Sequence, residues 1–219
     1  KLDGTLLEAN NDFQTIVTQT DRAKVMSQKH VEKLIIQEKK LATQEIEIED
    51  ANTAIFYSIS NCHNGLLGIS FGNFLIKQVA SNLKRELPDL NQFMTLSPLP
   101  GFMKWMEEYS PISFERCTDK NCSEDELTKN AIKYLTHSER DDGMPNDPVS
   151  RFHIGNGASL ERINLNADTS EKGMAQSYGV MANYLYDLDV VEENHEIFFK
   201  NKVVPVSSEI ESLKKKHKV

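Results

Sequence analysis

A short strand, a glycine-rich loop, a helix and a second strand follow one another in the first half of this 219-residue chain. Residues 53–60 are rich in β-branched and aromatic side chains, which favour a buried strand. Three glycines lie within residues 65–73, and helical periodicity then runs from Asn73, the predicted N-cap, until Pro88 ends it. Residues 93–96 form the next predicted strand. This order predicts a β-α-β unit, which should be right-handed if its two strands are parallel.

The second half of the chain contains two clear helix-start signals. Ser123 begins a capping-box pattern, which predicts a helix as far as His137. Pro148 follows an N-cap aspartate and predicts the start of a short helix that carries His153. Otherwise, residues 107–147 are acidic and are predicted to be irregular.

Alternating apolar and polar residues predict two further strands, at 159–165 and 180–188. Together with the β-α-β unit they predict an α/β or α+β fold, in which helices flank a mixed sheet. The predicted organisation is a partial linker with a long polar helix over 1–52, a folded domain over 53–200 and a tail over 201–219.

The charge balance excludes some classes of partner. The net charge is −8, whereas a nucleic-acid-binding surface needs clustered lysine and arginine. The basic run over 214–218 is predicted to be a solvated C-terminal tail. No apolar run reaches the roughly 18 residues that a membrane span needs, so neither nucleic acid nor membrane is expected as a partner. The start at Lys1, without an initiator methionine, predicts that the chain is part of a longer protein.

Three cysteines favour a reducing compartment and three free thiols. Cys117 and Cys122 are five residues apart, and Cys62 precedes a histidine. This spacing matches no standard zinc pattern, so no metal site is expected.

Three features are candidates for chemistry, and each has a structural alternative. Ser97 lies before a proline, which disfavours helical angles and could fix the hydroxyl at the end of a strand, although Ser-Pro turns are common. His153 has an ordinary pKa near 6.5, which suits proton transfer near neutral pH, but it could be a hydrogen-bonded core histidine. The glycines of 65–73 could bind phosphate at a helix start or form a tight turn. Arg151 could meet a carboxylate or phosphate, or make a surface ion pair.

Several motifs, in order, make the chain resemble the malonyl-CoA decarboxylase family over residues 53–198. They are Phe56–Ser60, Gly65–Lys77, Leu83–Pro88, Leu96–Phe102, Asp147–His153, Asn156–Ala158, Leu160–Asn164, Ala167–Ser170 and Asn183–Leu188. The resemblance implies a catalytic domain of the GNAT (acetyltransferase-like) fold that follows a helical N-terminal domain. It also implies that this helical domain and the first strands of the sheet are missing here. Leu165 stands where the family usually has tryptophan, and the segment between Phe102 and Asp147 diverges.

The family resemblance also implies an activity and a site. It implies a lyase that converts malonyl-CoA to acetyl-CoA and CO2 in fatty-acid metabolism, without metal or organic cofactor because the thioester accepts the electrons. Ser97 would orient the carboxylate, and His153 would protonate the enolate carbon. The residues implied for coenzyme A binding are Gly68, Ile69, Ser70, Phe71, Gly72 and Asn73, and those implied to support the site are Asn156, Asn183 and Tyr184.

A further implication is a homo-oligomer formed through the helical domain. The implied location is the cytoplasm or the mitochondrial matrix, because the C-terminus does not match the peroxisomal Ser-Lys-Leu signal.

Two other functions stay open. A GNAT-type acyltransferase would share the coenzyme A loop but needs a pocket for an amine. A truncated, non-catalytic module is the other, although the presence of both Ser97 and His153 argues against it. A Ser/His thioesterase is less favoured, because no Gly-x-Ser-x-Gly pattern surrounds Ser97.

Overall fold

The structure is a computed structural model that describes residues 51–57, 71–137 and 139–219, with the backbone alone for 71–75. These residues belong to one compact unit, Glu49–Val219. The predicted polar helix over 21–45, Cys62 and the predicted glycine loop as far as Ser70 lie outside the described residues.

Strands and short helices alternate along the described chain. The strands are β1 (Thr53–Tyr57), β2 (Gln92–Pro98), β3 (Ser159–Asn164) and β4 (Met181–Leu185). The helices are α1 (Phe71–Glu86), α2 (Phe102–Tyr109), α3 (Pro111–Thr118), α4 (Glu124–Thr136), α5 (Pro148–Gly155), α6 (Glu171–Ser177), α7 (Val191–Asn201) and α8 (Ser208–His217).

The four strands form one mixed sheet in the order β1-β2-β4-β3. β1 and β2 are parallel, with Ile55 opposite Met94, and α1 lies between them in the chain. β4 is antiparallel to both of its neighbours, β2 and β3. The prediction of a mixed sheet with flanking helices is therefore confirmed.

One face of the central strands, β2 and β4, lines the hydrophobic core. Phe93, Thr95 and Ser97 alternate with less buried residues along β2, and Ala182 and Tyr184 do so along β4. The period-2 pattern of a strand places these buried side chains on the same side of the sheet. Helix α5 covers this face, because its His153 ring stacks on the Tyr184 ring with centroids 4.7 Å apart.

The caps of α5 confirm the predicted helix around His153. The carboxylate of Asp147 accepts a hydrogen bond from the Ser150 amide at 2.7 Å, and Pro148 occupies the first turn. The other carboxylate oxygen of Asp147 accepts a hydrogen bond from the Tyr134 hydroxyl of α4 at 3.0 Å. Burial raises the pKa of Asp147 to about 6, so this carboxyl group is mostly ionised at neutral pH. The capping residues next to α5 therefore define where the helix begins, and the hydrogen bond from Tyr134 of α4 fixes its first turn.

Residues 107–147 contain more helix than the sequence predicted. The predicted helix at α4 is confirmed, with the Ser123 hydroxyl accepting from the Glu126 amide at 3.2 Å. The expectation that the rest is irregular is wrong, because α2 and α3 also form. Trp105 and Met106 of α2 are buried, which supplies the packing energy that short helices need.

The cysteines of this region correct another expectation. Cys117 and Cys122 form a disulfide, with Cα atoms 4.4 Å apart, so the prediction of three free thiols is wrong. The turn after α3 brings the two residues together. Among the residues that the structure describes, no group of three or more His, Cys, Asp or Glu side chains could hold a metal ion.

The predicted N-cap of α1 and the predicted C-terminal tail also differ from expectation. Asn73 is the third residue of α1, so it lies inside the helix rather than capping it. The segment 201–219, predicted as a tail with a solvated basic run over 214–218, contacts the domain, because Val206 bridges to Leu160 of β3 and α8 packs on β3 and α4. Ile210 of α8 is fully buried, and this apolar contact holds the lysine-rich segment against the rest of the domain. No helix in the described part of the chain is long and apolar enough to span a bilayer.

Candidate active site

Ser97 and His153, 56 residues apart in sequence, meet on the covered face of the sheet. The Ser97 Oγ and His153 Nε2 atoms lie 3.2 Å apart, within hydrogen-bonding distance. Both side chains are buried, with exposed fractions of 4% and 2%. Strand β2 presents the serine as its penultimate residue, and α5 presents the histidine from above. The structure thus brings together the two residues that the sequence proposed as partners.

The second nitrogen of the imidazole also has a polar partner. His153 Nδ1 lies 2.8 Å from the hydroxyl oxygen of Tyr186, which directly follows β4. The ring is held between aromatic groups, stacked on Tyr184 and edge-on to Phe152 with centroids 5.0 Å apart. Contacts on both nitrogens and on the ring fix its orientation.

Thr95 extends the hydrogen-bonded chain beyond Ser97. The Ser97 hydroxyl donates to Thr95 Oγ1 at 2.9 Å, and the Tyr184 amide donates to the same oxygen at 3.2 Å. Thr95 is fully buried. Four side chains, of Thr95, Ser97, His153 and Tyr186, therefore form one continuous polar row inside an apolar core.

Burial decides the charge of the imidazole. Desolvation lowers the pKa of His153 to about 4, because the charged form loses its hydration without gaining a carboxylate partner. His153 is therefore neutral at pH 7, and its pKa departs from the value near 6.5 expected from the sequence. Burial also raises the pKa of Tyr186, although the Asn156 side chain opposes this shift, so its hydroxyl keeps its proton.

The three residues expected to support the site lie around it in different roles. Asn156 caps the C-terminus of α5, and its backbone N–H donates to the His153 backbone carbonyl at 3.1 Å. The Asn183 side chain donates to the Thr95 carbonyl at 2.7 Å and accepts from Asn164 at 2.7 Å. Tyr184 contributes its ring and its backbone amide. The structure brings all three within one or two contacts of His153 or Ser97.

Sequence reasoning missed Thr95 and Tyr186. Each lies two residues from a residue that was identified, Thr95 before Ser97 and Tyr186 after Tyr184. The period of a strand puts such residues on the same face, and this signal could have found them. The Arg151 guanidinium donates to the carbonyls of Pro145 and Asn146, both at 2.8 Å, and its contact with a carboxylate or phosphate stays a prediction.

The residues expected to bind coenzyme A are only partly described. Gly68, Ile69 and Ser70 lie outside the described residues, whereas Phe71, Gly72 and Asn73 form the first residues of α1, whose backbone alone is described. Their role stays a prediction. The helix itself is linked to α7 by an ion pair of 2.7 Å between Lys77 and Glu192.

A cavity of about 440 Å³ lies elsewhere, between α2, α3 and α6, and is mainly apolar. Its walls include Met103, Phe114, Met174 and Tyr178, but neither Ser97 nor His153. Its size falls in the range of ligand pockets. Because no polar group of the serine–histidine pair faces it, we assign the chemistry to the buried polar row and not to this cavity.

The fold and the buried pair together define a mixed α+β domain with a neutral Ser–His pair over its central strands. A family model described as "Malonyl-CoA decarboxylase C-terminal domain" matches residues 23–121 and 110–219. The chain therefore belongs to the malonyl-CoA decarboxylase family, as its motifs suggested.

Individual relatives agree with the family model. The mitochondrial malonyl-CoA decarboxylases of Anser anser anser and Rattus norvegicus are 35% and 33% identical, each over 76% of this chain. The chain spans 41% and 42% of these two relatives.

Solved structures show the same fold. The crystal structure of malonyl-CoA decarboxylase from Agrobacterium vitis matches with a TM-score of 0.72 and 43% identity, covering 77% of this chain and 47% of that one. The structure from Rhodopseudomonas palustris matches with a TM-score of 0.69 and 41% identity, covering 79% and 45%. The sheet is thus that of the malonyl-CoA decarboxylases and is consistent with the predicted GNAT-like fold.

Proposed function

We propose that this protein decarboxylates malonyl-CoA to acetyl-CoA and CO2. The observation that carries the proposal is the buried hydrogen bond between Ser97 and His153 in a domain of this family. The names of the relatives support the substrate. The position of the pair supports the reaction type, because a proton donor inside a dry site suits a carbanion that must be protonated before it reacts otherwise.

The reaction needs stabilisation of negative charge and one proton. When the bond between the carboxylate carbon and the α-carbon breaks, CO2 leaves and the electron pair passes into the thioester as an enolate. One proton then adds to the α-carbon and gives acetyl-CoA. Hydrogen-bond donors aimed at the enolate oxygen are typically worth about 3–4 kcal/mol each. The thioester itself accepts the electrons, so this route requires no metal or organic cofactor.

His153 is the proposed acid, acting as a neutral imidazole. If Tyr186 donates to Nδ1, the ring proton sits on Nε2, on the side of Ser97. When Nε2 gives its proton to the α-carbon, the ring becomes an imidazolate that the Tyr186 hydroxyl at Nδ1 stabilises, and a proton from solvent then restores the neutral ring. The Ser97 hydroxyl, which donates to Thr95 Oγ1 in the structure, is proposed to turn its proton towards the malonyl carboxylate when the substrate binds, with no covalent intermediate.

The segment Gly68–Asn73 is the proposed binding site for the phosphates of coenzyme A. Glycines allow the backbone to approach a phosphate group, and the first amides of a helix are unpaired donors with a positive dipole end. The described start of α1 at Phe71 supports this proposal, because it supplies such a helix N-terminus next to the glycines.

Release of CO2 tests this function against the acyltransferase alternative. The complete protein is incubated with malonyl-CoA labelled at the free carboxylate, without any amine, and labelled CO2 and acetyl-CoA are measured. We expect equal amounts of both, and a Ser97→Ala variant assayed in parallel should release far less. A strict requirement for an amine, with transfer of the acyl group to it, would contradict the proposal.

The location and assembly of the complete protein are part of the same proposal. The mitochondrial relatives favour the mitochondrial alternative over a cytoplasmic one. A homo-oligomer formed through a helical N-terminal domain stays a prediction from the family resemblance.

A further inference from the structure

Thr95 lies where the ladder between the two central strands is interrupted. β2 and β4 pair at Met94 with Leu185, at Ser97 with Ala182 and at Pro98 with Met181. The same register would place Thr95 opposite Tyr184, but among the described strand residues this pair is not part of the ladder. The Tyr184 amide instead donates to the Thr95 hydroxyl oxygen at 3.2 Å. A side chain thus replaces a backbone acceptor directly beside the serine.

The Thr95 side chain is fixed from several directions. It is fully buried, and the Asn183 side chain holds its backbone carbonyl at 2.7 Å. Its Oγ1 atom accepts from Ser97 at 2.9 Å. A hydroxyl oxygen has two lone pairs, and these two donors, the Tyr184 amide and the Ser97 hydroxyl, can occupy both. The oxygen that accepts from Ser97, Thr95 Oγ1, is therefore held in place by its contacts with the sheet.

The direction of the Ser97 proton decides what faces His153. When Ser97 donates to Thr95, a lone pair of Ser97 Oγ faces His153 Nε2, which lies 3.2 Å away. Nε2 can then carry a proton, and Nδ1 accepts from Tyr186 at 2.8 Å. If Ser97 donated to His153 instead, the imidazole proton would have to sit on Nδ1. The two directions correspond to the two neutral tautomers of the ring.

We propose that Thr95 is a positioning residue: its hydroxyl draws the Ser97 proton away from His153 and so holds the imidazole in the tautomer that carries its proton on Nε2. Only the predicted changes in kcat rest on the proposed function; the predicted tautomer does not. Thr95 does not touch the reacting atoms in this scheme; it acts through Ser97.

Thr95→Val and Thr95→Ser form the matched pair that tests this role. Valine has nearly the shape of threonine but no hydroxyl, whereas serine keeps the hydroxyl and loses a methyl group. ¹⁵N spectra of the histidine ring, recorded on the complete protein, report which nitrogen carries the proton. We expect protonated Nε2 in the wild type and in Thr95→Ser, and a raised fraction protonated at Nδ1 in Thr95→Val. Should the valine variant fail to fold, Thr95→Ala replaces it, because alanine introduces no bulk.

Kinetics add a second readout that separates positioning from a structural role. We expect Thr95→Val to lower kcat about tenfold with KM nearly unchanged, the size of effect of one lost hydrogen bond, and Thr95→Ser to retain most activity. In a Ser97→Ala background the Val substitution should have no further effect on kcat, because its route to His153 is already broken.

Two results would overturn the inference: an unchanged tautomer in Thr95→Val, or an equal loss of kcat in the presence and absence of the Ser97 hydroxyl. The spectra need no turnover. A wild-type protein that releases no CO2 would therefore refute the proposed function alone, while the tautomer measurement would still decide the role of Thr95.

Discussion

Replacement of His153 by glutamine is expected to lower kcat for malonyl-CoA decarboxylation by about a hundredfold or more, the range typical of general acid–base groups. Glutamine can still hydrogen-bond to Ser97 or Tyr186, but it lacks the aromatic ring that carries the proposed Nε2 proton and spreads the charge left by its loss. The loss should therefore appear in kcat, and the affinity for coenzyme A should change little. Ser97→Ala is expected to lower kcat by about as much, because the carboxylate loses its orienting partner.

His137→Gln is the matched control for this experiment. His137 is the C-cap residue of α4, is exposed and contacts Thr136, outside the buried polar row. Its variant should keep wild-type kcat and the same thermal unfolding midpoint. Near-normal turnover by folded His153→Gln would remove this residue from the mechanism, whereas an equal loss in His137→Gln would show that the assay reports folding.

Gly157→Ala is expected to lower the free energy of unfolding by on the order of 3–5 kcal/mol, because it adds backbone strain to a steric overlap. Gly157 has a φ of +86°, which residues with a Cβ atom rarely adopt. A Cβ at this position would overlap the backbone carbonyl of Val191 at the start of α7. The turn after α5 would have to shift, and His153 lies on the last turn of α5. Chemical denaturation of the complete protein measures the change.

Gly155→Ala provides the control, two residues earlier in the same turn. Gly155 is helical, and an added Cβ would meet the Phe199 ring at an ordinary distance of 3.9 Å. Since alanine favours a helix over glycine, this variant should be neutral or more stable by up to about 1 kcal/mol. Equal destabilisation by the two substitutions would show that neither the φ of Gly157 nor its contact with Val191 governs this turn.

Local signals explain why the histidine helix could be predicted from sequence. An N-cap aspartate, a proline at the first position and glycines at the end act within a few residues of one another, and the structure shows each in that role around α5. The strand that leads to Ser97 was predicted over 93–96, and the structure extends it to Gln92–Pro98.

The strand period could have suggested Thr95 and Tyr186 as candidates, but not which residues they contact. Thr95 and Tyr184 are 89 residues apart in sequence, and Tyr186 lies 33 residues from His153. Their meeting depends on β4 being placed antiparallel beside β2, and no motif specifies that neighbour. The lowered pKa of His153 follows from the same non-local packing, so only its ordinary value could be expected from the sequence.

Tertiary packing also explains the misread segments. The apolar residues of α2 lie just before the acidic segment 107–147, and there Trp105 stacks near Phe102 with ring centroids 6.3 Å apart. Likewise, the lysines of α8 suggested a tail, although Ile210 and Leu213 face the core. In both segments a few buried side chains outweigh many exposed charges, because burial of one large apolar side chain is worth about 1.5–3 kcal/mol.

The central claim is that His153 works as a buried, neutral imidazole, and a pH titration of its ring nitrogens by ¹⁵N NMR in the complete protein tests it most directly. Because desolvation lowers the pKa to about 4, the ring should remain neutral from pH 8 down to pH 5 and take up a proton only below that range. The pH profile of kcat/KM should then show no step near 6.5 due to this residue. Protonation of His153 with a midpoint near 6.5 would contradict the account.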